Sequence, residues 1–168
     1  MKKMLILSSL ALFNTNLTAG NASSTGIITS GNPMNVVGNY VSKNEQIQQI
    51  NVTGNLKAER SKINTATVVG NVLAEEATFD NLSVVGRPKL INSHVAYLTA
   101  VTGKAEFSGQ STATRITIDT SGDSNTNGPI IEVNDSSRIN SIVFKGKSGV
   151  VKISGGGYVD QVTNGSIQ

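Results

Sequence analysis

Cysteine and tryptophan are absent from this chain, proline occurs three times and histidine once. Without cysteine there is no disulfide, no thiolate metal site, no cysteine nucleophile and no lipid anchor attached through a thiol. The one histidine, His94, has no second ligand close by in the sequence, so an imidazole metal centre is not expected. Aromatic residues make up only 4% of the 168, too few for a core built on large rings. Runs rich in Leu, Glu and Ala, which a helical bundle would need, are also missing. An excess of charge of one sign disappears once Lys2 and Lys3 are set aside. That leaves 12 of the 14 basic residues against 11 acidic ones. No basic run with interleaved aromatics occurs, so nucleic acid is not an expected partner.

What is present is glycine, 17 residues of it, with abundant Asn, Ser and Thr, and 38% hydrophobic residues. That is too apolar for a disordered chain and suits many short strands joined by frequent turns. At the N-terminus two lysines precede an apolar run from Met4 to Phe13, followed by small polar residues. This is the layout of a secretory signal peptide, and the run is too short to span a bilayer. Cleavage is expected after Ala19 or Ala22. The predicted organisation is a signal peptide at 1–22, an irregular lead-in at 23–33 and one repeat domain at 34–168. The mature protein is expected to be exported, to the periplasm or the cell surface, with no transmembrane segment.

The repeat is measured by glycines. Gly38, Gly54, Gly70, Gly86 and Gly103 follow one another at steps of 16, 16, 16 and 17 residues. Two positions before each stand Val36, Val52, Val68, Val84 and Val101. Two after come Tyr40, Leu56, Val72, Pro88 and Ala105; four after, Ser42, Ala58, Ala74, Leu90 and Phe107; nine after, Ile47, Ile63, Phe79, Val95 and Thr112. Apolar side chains at every second position, as in Ile50, Val52, Gly54, Leu56, Ala58, mark strand with one face turned to a core. The step from Ala58 to Ile63 is odd, which implies a corner. Polar stretches such as "KNEQ", "ERSK" and "EEAT" fill these corners.

A unit of 16 or 17 residues cannot bury its apolar face alone and must stack on its neighbours. The predicted fold is therefore all-β: a single-stranded parallel β-helix, or β-solenoid, with one coil per repeat. Sixteen is not a multiple of the six-residue unit of regular left-handed triangular coils, so a right-handed coil with unequal sides is expected. The glycines are expected to point inward. The two "VVGN" stretches, 36–39 and 68–71, should then be corresponding strands two coils apart. "ITID" (Ile116 and Ile118 inward) opens a further coil, "TSGDSNTNGP" is a polar excursion, and "IIEV" resumes the strand. Two final coils follow it.

The phased coils "VTGNLKA" and "VVGNVLA" resemble those of bactofilin-type polymer-forming proteins. The ending "IVFKGKSGVVKISGGGYVDQVTNG" is similar to the closing coils of exported, uncharacterised repeat proteins of Gram-negative bacteria. The resemblance spans roughly residues 34–168 and implies the solenoid fold and a tendency to self-associate. Bactofilins are typically cytosolic and join end to end; the export signal here departs from that pattern.

Candidate chemistry is sparse. "DSNTNG" supplies Asp123, Asn125 and Asn127 at the alternating positions of a calcium loop, with Gly128 sixth. The twelfth position is Asn134 where a bidentate Glu is needed, so no calcium stabilisation is expected. "KGKSG" (145–149) has Ser141 where a phosphate loop needs its first Gly, and strand rather than helix follows it. Glu59 and Glu75 would stack about 5 Å apart in one outward ladder, nominally the spacing of a retaining glycosidase pair. Solvated like charges on a solenoid face are the plainer reading. No catalytic residue, cofactor or metal is assigned, and the protein is expected not to be an enzyme.

The column just before each glycine, Val37, Thr53, Val69, Val85 and Thr102, is β-branched, uncharged and expected to face outward. It is the predicted association face. The expected role is structural, adhesive or self-assembling at the bacterial envelope. The candidate partners are a second copy, through this stripe or the solenoid ends, and envelope polysaccharide or protein. The competing expectation is a small carbohydrate-active or carbohydrate-binding solenoid.

Overall fold

The structure, a computed structural model, describes residues 33–122 and 128–168, together with the backbone of four short strands before them. These are β1 (Leu5–Ser8), β2 (Asn16–Thr18), β3 (Ala22–Thr25) and β4 (Ile27–Ile28). Each later coil contributes two strands. They are β5 (Met34–Val37) with β6 (Tyr40–Lys43), β7 (Gln46–Thr53) with β8 (Leu56–Glu59), β9 (Lys62–Val69) with β10 (Val72–Glu75), and β11 (Thr78–Val85) with β12 (Pro88–Ile91). Then follow β13 (His94–Val101) with β14 (Lys104–Ser108), β15 (Thr112–Asp119) with β16 (Ile130–Val133), β17 (Arg138–Lys145) with β18 (Gly149–Ile153), and β19 (Tyr158–Thr163) with β20 (Gly165–Ile167). All pairings are parallel and join a strand to the one a coil away, giving two ladders of stacked strands. The fold is a β-solenoid. Among the described residues there is no helix, hence none that could cross a membrane.

Each coil has three unequal sides although it has two strands. The pairing of β7 with β9 runs Ile47↔Ile63 and then Gln49↔Thr65, passing over Gln48 and Asn64. The buried positions of β9 are Ile63, Ala66 and Val68, an odd step and then an even one. The long strand therefore bends at Asn64 and keeps its apolar side chains inward on both halves. The second corner is the one seen in the sequence, between Ala58 and Ile63. There Asn44, Arg60, Glu76 and Asn92 stand in successive coils with φ of 55°, 47°, 54° and 49°.

The third corner falls at the repeating glycines, which corrects two expectations. "Ile50 to Ala58" is two strands, since β7 ends at Thr53 and β8 starts at Leu56. The glycines also lie at this edge, not in the core: Gly38, Gly54, Gly70 and Gly86 are half-buried and Gly103 is exposed. Gly54, Gly70 and Gly86 have φ of 142°, 146° and 145°, and a Cβ on any of them would overlap the carbonyl of the glycine one coil below. Glycine is required here because the backbones stack directly and turn through a region closed to L side chains. Because two residues separate the strands, the inward period survives the turn and imitates one long strand.

The two "VVGN" stretches are indeed two coils apart, through Val36↔Val52 and Val52↔Val68. Their asparagines explain the last letter. Asn39 Oδ1 accepts from the Asn55 backbone N–H at 3.1 Å, Asn55 Oδ1 from Asn71 at 3.0 Å, and Asn71 Oδ1 from Arg87 at 3.1 Å. The ladder satisfies amides that the turn would otherwise leave to solvent.

Val36, Val52, Val68 and Val84 form the expected buried stack. Val101 does not join it. It pairs with Val85 and is 47% exposed, while Ala100 pairs with Val84 and is fully buried. In the same way Ala113, not Thr112, pairs with Val95 and takes the inward place. The cause is one additional residue at each of two corners, before Ala105 and after Phe107, so a count taken from Gly103 lands one position late at Val101 and one position early at Thr112. Ile116, Ile118, Ile131 and Val133 are inward and fully buried, as the pattern of "ITID" and "IIEV" requires. In the stretch expected to be an irregular lead-in, β3 and β4 are regular partners of β6 and β7.

Candidate functional site

The outer surface divides by charge. On the face of the short strands, Val41, Lys57, Leu73, Lys89, Glu106, Glu132 and Lys152 form one continuous outward ladder. All five ion pairs found among the described residues lie on this face. Glu59 and Glu75 are neighbours in register, as expected. They are not a pair of free carboxylates, however. Lys57 Nζ sits 2.5 Å from Glu59 and 3.2 Å from Glu75, and Lys43 reaches Glu59 at 3.5 Å. The Lys57 hydrogen bond holds the Glu59 carboxyl below its ordinary range, and Glu59 in turn raises the Lys57 ammonium. A carboxyl held ionised this way is a poor general acid.

The long face beyond the bend differs. Across β5, β7, β9, β11 and β13 its outward residues are Asn35, Val37, Gln49, Asn51, Thr53, Thr65, Thr67, Val69, Asn81, Ser83, Val85, Tyr97, Thr99 and Val101. None is charged. At its edge Val37, Thr53, Val69, Val85 and Val101 run in register, and the four valines are each about half exposed. Four of the five predicted face residues are thus in place. Thr102 is the exception: it is 9% exposed, and its hydroxyl donates to the Lys104 carbonyl at 2.8 Å and accepts from the Lys104 N–H at 3.1 Å. Val101 stands where Thr102 was expected, for the reason of register given above. Beyond β13 the face regains charge with Arg115 and Asp119.

His94 lies in its exposed corner, its Nδ1 2.7 Å from Thr112 Oγ1. Lys145 ends β17 and Gly149 begins β18, so strand follows "KGKSG". Asp123, Asn125 and Asn127 lie outside the described residues.

The sequence reading missed one buried acid. Glu45 belongs to the polar corner stretch "KNEQ", yet it is 2% exposed. The Tyr40 hydroxyl donates to its Oε2 at 2.9 Å, while Oε1 is buried without a partner. Ser42 and Ser61, joined at 2.8 Å, complete the cluster. Burial pushes the Glu45 carboxyl above its ordinary value, against the pull of hydrogen bonds from Ser42 and Tyr40. A signal existed: the same corner position in later coils is Ser61, Ala77, Ser93, Ser111 and Ser137, all small and all buried.

No family model, curated protein or solved structure matches this chain.

Proposed function

We propose that the protein is an exported, non-catalytic structural β-solenoid that self-associates laterally through its long uncharged face. The observation that carries this is the partition of charge: fourteen outward residues over five adjacent strands without one ion, against five ion pairs on the neighbouring face. Docking a charged surface strips water from ions, whereas the centre of a protein interface is depleted in charge. A half-exposed valine ladder flanked by hydroxyl and amide side chains has no such desolvation to overcome. A second copy fits because the same ranks recur at the same spacing on both partners, which is the condition for an isologous contact. The N-terminal "MKK" and apolar run support export, and the bactofilin-like coil pattern supports assembly.

Light scattering across a wide concentration range tests the reading. The expected result is a concentration-dependent oligomer that Val69→Lys with Val85→Lys disperses. A strict monomer at every concentration would replace assembly with a monomeric binding role.

A further inference from the structure

One cleft interrupts the regular stacking. The pairing of β13 with β15 ends at Ala100↔Ile118, and beyond that point Asp119 pairs only with Lys145 on the far side. The residue added at this corner turns Thr102 inward. At this corner lies a cavity of about 410 Å³ lined by Asn71, Val85, Arg87, Val101, Asp119 and Thr120, among others. That volume is within the ordinary range for small-molecule sites.

Its walls are held in place. Thr120 Oγ1 donates to the Lys145 carbonyl at 3.2 Å and accepts from the Lys147 N–H at 3.1 Å. Ser121 donates to Asp119 Oδ1 through its backbone N–H at 3.0 Å and its hydroxyl at 2.5 Å. The Asp119 carboxylate is thereby kept ionised. Arg87 belongs to none of the five ion pairs, and neither does Asp119. The same lining includes the half-exposed methyls of Val85 and Val101.

We infer that this cleft binds a neutral saccharide segment. A free anion attracted by Arg87 would meet Asp119, and a free cation the reverse. A polyhydroxylated neutral ring satisfies both, since its hydroxyls donate to the carboxylate and accept from the guanidinium. Its C–H face covers the valine methyls. The cleft shares Val85 and Val101 with the association face, so the test must separate saccharide binding from lateral assembly.

The ¹⁵N-labelled full chain is titrated with maltotriose, cellotriose, chitotriose and mannotriose into the tens of millimolar, and backbone amide shifts are followed. At least one trisaccharide is expected to move Gly86, Arg87, Val101 to Gly103 and Asp119 to Thr120. Arg87→Ala and Asp119→Asn should each weaken that binding about tenfold, the effect of losing one hydrogen bond to a charged group. Val69→Lys, which lies outside the cleft, should leave it unchanged. No shift with any of the four sugars would overturn the inference. So would shifts that map elsewhere, binding indifferent to both cleft variants, or binding lost in a folded Val69→Lys protein.

Discussion

At the scale of single residues, two features bear on stability. Glu45 is an acid whose folded pKa lies above its ordinary 4.5. The folded state therefore holds its proton more tightly than the unfolded chain. Stability from this site is greatest below about pH 4.5 and is lost as pH rises through the raised folded value. Around it stand Tyr40, Ser42 and Ser61, and the residues from 22 to 33 that precede it include no titratable side chain. Glu45→Gln should flatten the dependence of the thermal midpoint on pH in the mildly acid range and raise the midpoint at neutral pH. An unchanged slope in calorimetry would show that Glu45 titrates normally. The second feature is Glu76, left-handed at φ 54° in a column where asparagine also stands at Asn44 and Asn92. Left-handed backbone costs most residues about 1 kcal/mol, and asparagine less. Glu76→Asn should raise the midpoint by about 2 °C, allowing for partial relief in a chain of this size.

At the scale of the strand, the decisive matter is register. A strand places alternate side chains on opposite faces, so an error of one residue exchanges core and surface. That is how Thr102 and Val101 changed places. The native chain has no cysteine, so single cysteines report the register directly. Val101→Cys should react with a thiol reagent at a rate near that of the unfolded protein. Ala100→Cys and Thr102→Cys should be protected until the coil opens. Rapid labelling at 102 with protection at 101 would restore the simple count from Gly103.

At the scale of the whole molecule, a solenoid exposes each outward column as an unbroken ladder, so small preferences in composition add along the axis. The ladder of Lys57, Lys89, Glu106 and Glu132 is closed by ion pairs at 2.5–3.2 Å, whereas the ladder of Val37, Thr53, Val69, Val85 and Val101 carries no charge. Association through the second should be nearly indifferent to salt, because screening acts on charges. Sedimentation at low and high ionic strength should give the same oligomer distribution. Dissociation on adding salt would transfer the interface to the Lys–Glu face.

How much of this could be read beforehand depended on periodicity. Glycines 16 apart, with valine two before each, determine stacked parallel coils because no other arrangement buries a one-sided face in so short a unit. The outward direction of Val37, Thr53, Val69 and Val85 follows from the same period of two. The corner inside each long strand was not legible, since a step of three between Ile63 and Ala66 leaves no turn residue to mark it. Nor was Glu45, because a corner residue turns in or out according to which side chains stack above and below it. The cleft at Arg87 and Asp119 joins positions 32 residues apart, at the place where the register between coils slips. Local pattern sets which residues can be strand; the contacts between coils decide where the pattern slips, and so where the solenoid has an opening.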